Sequence, residues 1–309
     1  MSSATLSGAT LDRETFAKRG FWGVGGPMDR FVLVETAEQL RAEILEARSA
    51  DRPLFVLGNG SNLLVPDDGL RGTTLRLGGG LKTSEILPGG ADRVELHVGA
   101  GMLNFALLKR HSTLSGLGPL AGVPGTMGGA IAMNAGTTLG EIGGVVDRIE
   151  GFDSDGTFQI LARGDLPMAY REGGLPRGFV VTAAVLRLSR LNAESDQQRI
   201  AEHLARRKAT QPWELQSCGS VFRNPLGDSA GRLIEAAGLK GWRQGDAQIS
   251  EKHANFIVNQ GAAKATDVLA CIRKAMIEVH SQFNVVLSPE VHIVGDWPEF
   301  LWPIRVGTE

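Results

Sequence analysis

The chain has 309 residues, 42% hydrophobic and 21% charged, a globular mixture long enough for two domains. A formal net charge of −2 and a pI near 6.3 exclude the basic balance of a general nucleic-acid binder, and two cysteines, Cys218 and Cys271, are too few for a disulfide framework. No apolar run approaches the roughly 20 residues of a membrane span, and the opening MSSATLSGATLDRETF lacks a basic segment followed by an apolar core, so a cytoplasmic protein with no nucleic-acid or membrane partner is expected.

In chain order, DRFVLVET (29–36) reads as a strand ending in a turn. Thr36 and Gln39 then predict a capping box opening a helix through 37–50. PLFVLGNGSNLLV (53–65) reads as a buried strand, a glycine turn and a short apolar run, completing a β-α-β lobe. From about 70 to 190 the pattern changes to short β-type runs: TTLRL, RVELHVGAG, GGVVDRIEGFD, TFQILAR and FVVTAAVLRLS. One helical piece, LNFALLKRHSTL, interrupts them, so a second, sheet-rich lobe is expected. A polar helix over 193–210, with Ile200 and Leu204 on one face, bridges to the remainder. There AGRLIEAAGLKG reads as a helix stopped by Gly238, NFIVN as a strand, 266–283 as a helix and VHIV as a strand. In the helix over 266–283, Val268, Leu269, Ile272, Met276 and Val279 share a face. The expected division is therefore 1–70, 71–194 and an α+β domain at 195–309.

Glycine is the unusual count: 41 residues, roughly twice average usage. Two clusters lie in loops after apolar segments. LGNGSNLLV (57–65) sets Gly58, Asn59, Gly60, Ser61, Asn62 and Leu63 in a turn whose N–H groups suit an anion without positive charge. GVPGTMGGAIAMNAG (122–136) is neither a Walker loop nor a dinucleotide fingerprint. Either loop alone also reads as a plain tight turn; together they suggest a pyrophosphate gripped from two sides.

Three chemical candidates follow. In SCGSVFRNP (217–225), Ser220 reads as a turn serine or as a proton donor, and the nucleophile-elbow pattern is absent. Glu290, entering the strand of LSPEVHIV, is either simply exposed or a tuned carboxylate. Arg171, beside the single tyrosine in AYREGG, offers a planar fork for a carboxylate. The six histidines show no metal-ligand spacing and the cysteines read as packing residues, so no metal is expected.

In this order, FWGVGGPMDRFV, LGNGSNLLVPDDGLRG, HVGAG, PLAGVPGTMGGAIAMNAG, YR, GSVFRNP, AGRLIEAAGLKGWRQGDAQISEKHANFIVN and LSPEV resemble the UDP-N-acetylenolpyruvoylglucosamine reductase (UDP-N-acetylmuramate dehydrogenase) family over nearly the whole chain. The resemblance implies a vanillyl-alcohol-oxidase-like (PCMH-type) FAD-binding fold of two α/β lobes plus a C-terminal α+β substrate-binding domain. It implies non-covalent FAD, NADPH as reductant, and reduction of UDP-N-acetyl-3-O-(1-carboxyvinyl)-glucosamine, or UDP-GlcNAc-enolpyruvate, to UDP-N-acetylmuramate for peptidoglycan, by a monomer.

By the same resemblance Arg171 and Glu290 act on the enolate-like species and Ser220 supplies the proton. The FAD positions are Gly58, Asn59, Gly60, Ser61, Asn62, Leu63, Gly122, Pro124, Gly125, Thr126, Gly128, Gly129, Asn134, Ala135 and Val181. The substrate positions are Lys208, Asn224 and His253. Three departures stand out: Gly173 replaces a usual serine, NAGTTLG replaces the common NAGAYG, and no tyrosine is left for a lid loop, which places the chain with the shorter type. A flavin oxidase of the same fold and a flavin-binding protein without catalysis remain open as rival readings.

Overall fold

The computed structural model describes residues 8–11 and 14–298; much of the opening stretch read for a leader lies outside them. The chain divides into two compact units. Of the described residues, the first comprises 8–11, Arg30–Asn59 and Gly72–Arg207, and the second 14–29, Gly60–Arg71 and 208–298.

In the first unit a four-stranded sheet runs in the order Ala9–Leu11, Met28–Val34, Leu70–Leu77, Leu54–Val56. Helix α1, Ala37–Ser49, buries Leu40, Ile44 and Ala47. The Thr36 hydroxyl caps it by accepting from the N–H of Gln39 at 3.2 Å. The return bond differs from a strict capping box, because Gln39 Oε1 accepts from Glu35 N–H at 2.8 Å, one residue upstream. The strand expected to complete the β-α-β lobe does not lie beside the first. Leu70–Leu77 inserts between them and pairs in parallel with Leu54–Val56, Leu54 opposite Thr73. The run TTLRL, read as opening the second lobe, thus belongs to the first sheet. Leu54–Val56, expected to be buried, is half-buried, because it is an edge strand.

A five-stranded antiparallel sheet follows, in the order Phe158–Ala162, Val146–Phe152, Val180–Ser189, Arg93–Gly99, Ser84–Ile86. Its central strand Val180–Ser189 is almost wholly buried, matching an uninterrupted apolar run that no alternating pattern would produce. Helix α2, Asn104–Arg110, and the six-residue helix α3, Met127–Ala132, belong to this unit, and α3 packs on the two middle strands. Gly128 permits that approach: a Cβ there would stand 3.0 Å from the Ala100 methyl. Helix α4, Ala193–Thr210, buries Ile200 and leaves Leu204 half-buried.

The second unit holds a three-stranded antiparallel sheet, Arg243–Gln244, Ala247–Ile249 and Ile257–Asn259, with helices α5, Ala230–Ala236, and α6, Ala265–Phe283. All five apolar residues read on one face of α6 are buried. Gly238 follows α5 at φ +75°, a left-handed position suited to a helix stop. Trp22 is buried in this core, donating from its indole to the Ile257 carbonyl at 2.6 Å. Leu63–Leu64 pairs in parallel with His292–Ile293, and the Asp67 carboxylate accepts from the N–H groups of Ala265 and Thr266 at 2.8 and 3.1 Å. The unit therefore draws in 13–29 and 60–71, segments that the reading of a domain from 195 onward did not include.

Candidate functional site

The two glycine loops are in contact. A Cβ on Gly58 would come within 2.9 Å of Thr126 Oγ1, and the Asn59 amide donates to the Pro124 carbonyl at 3.2 Å. Their donors differ, however. Among the described residues, the main-chain N–H groups of Gly58, Asn59, Gly60, Ser61 and Asn62 make no bond to a protein acceptor. In the second loop, Val123, Gly125, Met127, Gly128, Asn134 and Ala135 all donate to main-chain carbonyls, and Gly129 donates to Thr126 Oγ1 at 3.4 Å. The first loop offers donors and the second offers shape, which differs from the two-sided backbone grip expected from sequence.

Asn134 is likewise committed. It is buried at φ +42°, donates to Glu141 at 2.8 Å and to the Ala169 carbonyl at 2.9 Å, and accepts from Gly143 N–H at 3.0 Å. It acts as a clasp between the loop and the segment leading to Arg171. Gly122, at φ +71°, leaves room for Arg207, whose Nη1 would stand 3.0 Å from a Cβ there.

A cavity within the first unit is walled by Gly58, Thr126, Gly128 and Gly129 on the loop side and by Phe179 and Val181 on the sheet. Arg76 and Lys82 also line it. Both were missed from sequence, where neither loop shows a nearby cation.

Arg171 sits at φ +60° in a tight turn closed by Ala169 and Glu172, which exchange main-chain bonds of 2.9 Å in both directions. Its guanidinium donates to the Gly136 carbonyl at 3.2 Å and lies 4.8 Å from the centre of the Tyr170 ring. Gly173 donates to the Ala132 carbonyl at 3.0 Å, and a Cβ on it would meet the Ile131 carbonyl at 2.1 Å. Here the backbone is pressed against the end of α3, so glycine is a steric requirement. Arg207 neighbours Arg171: burial, and then the Arg171 charge, lower its proton affinity. Its Nη1 donates to the Ala121 carbonyl at 3.4 Å. A lone arginine on a polar helix gave no sequence signal.

In the second unit, Ser220 and Glu290 lie on adjoining segments. Glu290 N–H donates to the Val221 carbonyl at 2.7 Å, and Phe222 bridges Pro289. Asn255, buried, clamps the serine's segment, accepting from Phe222 N–H and donating to the Phe222 carbonyl, both at 2.9 Å. Ser220 itself follows Gly219, which is at φ +76° with open space where a Cβ would be. The neighbouring Cys218 is buried, and that burial pushes its thiol up to about 12, which keeps it protonated.

Of the substrate candidates, Asn224 and His253 lie beside α5. Asn224 Oδ1 accepts from Ala230 N–H at 3.1 Å, so half of its amide is already used in the first turn. His253 Nδ1 accepts from Asn255 N–H at 3.2 Å, which fixes the proton of the neutral ring on Nε2, and burial lowers its pKa. The Lys208 carbonyl accepts from Lys252 Nζ at 3.0 Å, while its own side chain is exposed.

Two family models match: the FAD binding domain over residues 28–162 and the UDP-N-acetylenolpyruvoylglucosamine reductase C-terminal domain over 211–294. The reductase of Alkalilimnicola ehrlichii is 44% identical, with 92% of this chain and 94% of that protein aligned. The reductase of Methylococcus capsulatus is 41% identical, with 96% of each covered. The chain belongs to the UDP-N-acetylenolpyruvoylglucosamine reductase family. The crystal structure of the Thermus caldophilus reductase is 40% identical, has a TM-score of 0.80, and covers 94% of this chain and all of that one. The fold is accordingly the vanillyl-alcohol-oxidase-like (PCMH-type) FAD-binding fold with a C-terminal α+β domain.

Flavin nucleotide suits the residues found here. The first loop has uncommitted N–H donors, the cavity walls are largely apolar, and two cations border them. Among the described residues no helix is long and apolar enough to cross a membrane, and no three His, Cys, Asp or Glu side chains gather as a metal site would require. Against the reductase pattern, Gly173 is accounted for by its contact with Ile131. The NAGTTLG departure falls on the hairpin of Gly136–Thr137 and Gly140–Glu141, where His203 bonds Thr138 Oγ1 at 3.1 Å.

Proposed function

We propose that this protein reduces UDP-GlcNAc-enolpyruvate to UDP-N-acetylmuramate, with NADPH as the source of hydride. The observation that carries the reading is the adjacency of Ser220 and Glu290, locked together through Val221 in the domain that matches the reductase model. FAD, when bound, would supply to the vinyl terminus of the substrate the hydride that NADPH provides.

The chain's own residues do the rest. The carboxylate-bearing carbon gains negative charge as the hydride arrives, and that charge spreads into the carboxylate. Arg171 meets it with a planar, permanently charged fork. Glu290, its main chain held by Val221 and Asn62, orients and polarises the enolate-like group. Ser220 delivers a proton to the carboxylate-bearing carbon, completing reduction of the double bond. His253, neutral through burial, presents its Nε2 proton as a donor toward the nucleotide sugar, and Asn224 offers the free half of its amide. Lys208 offers an exposed ammonium to the same ligand. The reading takes the protein as a cytoplasmic monomer.

The test is spectral. Under anaerobic conditions NADPH should bleach the yellow protein, and UDP-GlcNAc-enolpyruvate should restore the colour within turnover time. Reoxidation by oxygen alone, with no response to the enolpyruvyl compound, would favour the flavin-oxidase alternative. A yellow protein that NADPH does not bleach would point to flavin binding without catalysis.

A further inference from the structure

We propose that Arg76 and Lys82 form the cationic side of the diphosphate site for the flavin nucleotide, beside the N–H donors of the first glycine loop. The inference rests on FAD occupying the cavity, and not on the identity of the substrate.

The geometry builds from three close approaches. The N–H of Leu57 donates to the Leu75 carbonyl at 2.8 Å, which seats the start of the first loop, Gly58 and Asn59, beside Arg76. The N–H of Gly101 donates to the Leu81 carbonyl at 2.8 Å, and a Cβ on Gly101 would stand 3.0 Å from Lys82 Cγ, so the lysine stem lies along that glycine. Gly128 packs on Ala100, the residue before Gly101. Arg76, Lys82, Gly58 and Gly128 consequently border one cavity, with Phe179 and Val181 forming its apolar wall.

The charge balance supports the assignment. A dinucleotide diphosphate carries two negative charges. The second loop has already spent most of its N–H groups on protein carbonyls, so it contributes little to neutralising them. Arg76 on its strand and Lys82 on the turn both border the cavity and suit anionic oxygens, arginine as a fork and lysine as a compact point charge. NADPH and the nucleotide-sugar substrate also carry a diphosphate, so the test must separate these ligands from FAD.

The experiment titrates flavin-free protein with FAD and with riboflavin, which lacks phosphate, at rising NaCl. Wild-type FAD affinity should fall with salt and riboflavin affinity should not. Arg76→Gln and Lys82→Gln should each raise the FAD Kd about tenfold, flatten its salt dependence, and leave the riboflavin Kd unchanged. Arg76→Lys and Lys82→Arg should retain most of the affinity, which also shows that the positions tolerate substitution. Equal weakening of FAD and riboflavin, or equal loss in the charge-keeping variants, would overturn the proposal. So would a double Gln variant, saturated with FAD, that loses NADPH or substrate affinity while its FAD affinity stays wild type. Failure of UDP-GlcNAc-enolpyruvate to reoxidise the reduced wild-type flavin would overturn the reductase reading and leave these FAD affinities standing.

Discussion

The side-chain amide of Asn62 donates to the main-chain carbonyl of Glu290 at 3.0 Å, and the N–H of His292 returns to the Asn62 carbonyl at 3.1 Å. Asn62 and the segment bearing the proposed catalytic carboxylate are thus joined by two hydrogen bonds. Asn62→Asp keeps the shape of the side chain and removes the donor. It should slow reoxidation by substrate in protein saturated with FAD, while reduction by NADPH stays near wild type. Stopped-flow rates for the two half-reactions decide it; wild-type reoxidation would show that the bond has no functional reach.

Ser220→Ala removes one hydroxyl from a segment held independently by Asn255. Flavin content and NADPH reduction should be retained. Turnover should fall by roughly 10²–10⁴-fold, the range for loss of a general acid. Ser220→Cys should exceed Ser220→Ala, since a thiol is the stronger acid. Near-normal turnover in the alanine variant would return Ser220 to a turn residue.

Gly173→Ser would introduce the residue usual in the family into a backbone that has no space for it. Its Cβ would collide with the Ile131 carbonyl at 2.1 Å, and overpacking of this kind costs about 1–3 kcal/mol. Thermal denaturation should show a melting temperature several degrees lower, and the turn carrying Arg171 should shift with it. An unchanged melting temperature would mean that the backbone at 173 relaxes freely.

The second glycine loop needs a probe that separates cavity from packing. Gly128 is a poor choice, since its side chain would strike Ala100 whether or not a ligand is bound. Gly129 is exposed, and a Cβ there meets only Thr126 Oγ1, at an ordinary 3.6 Å. Gly129→Leu should therefore fold with parental stability and purify colourless. Full flavin content in a folded Gly129→Leu protein would remove the loop from the flavin site.

Burial lowers the pKa of His111, His203, His253 and His292. Below about pH 6.5 the unfolded chain then binds more protons than the folded one. Stability from these groups is complete above that value and is lost as pH falls toward their folded pKa values. Melting temperature should drop between pH 7.5 and 5.5. His111→Gln, which can keep a bond to Ser84 Oγ (2.9 Å in the parent), should make the drop shallower; an identical slope would take His111 out of the account.

Local signals were legible where one element carries its own pattern. The apolar face of α6, the Thr36 cap of α1 and the stop at Gly238 depend on residues within a few positions of one another. Partners distant in sequence were not legible. Leu70–Leu77 enters the first sheet by pairing across Leu54–Val56, and nothing in its composition names that neighbour. The ordered motifs singled out Ser220, Glu290 and Arg171 as candidates, while Arg76, Lys82 and Arg207 did not register, because a single cation has no periodicity and gains meaning only from what folds against it. The unequal donors of the two glycine loops were hidden for a related reason. Sequence counts the glycines, but only coordinates show which N–H groups already have acceptors.

The parallel pairing of Leu63–Leu64 with His292–Ile293 also sets a schedule for synthesis. The partners are about 230 residues apart, and a chain made at roughly 5–20 residues per second leaves the first waiting some ten to fifty seconds for the second. During that interval Leu64 and Val65, buried in the finished protein, have no strand at 292–293 to cover them. A nascent or prematurely terminated chain would present this apolar run to chaperones and proteases. Any product ending before residue 292 should therefore be cleared rather than accumulate as a flavin-binding fragment.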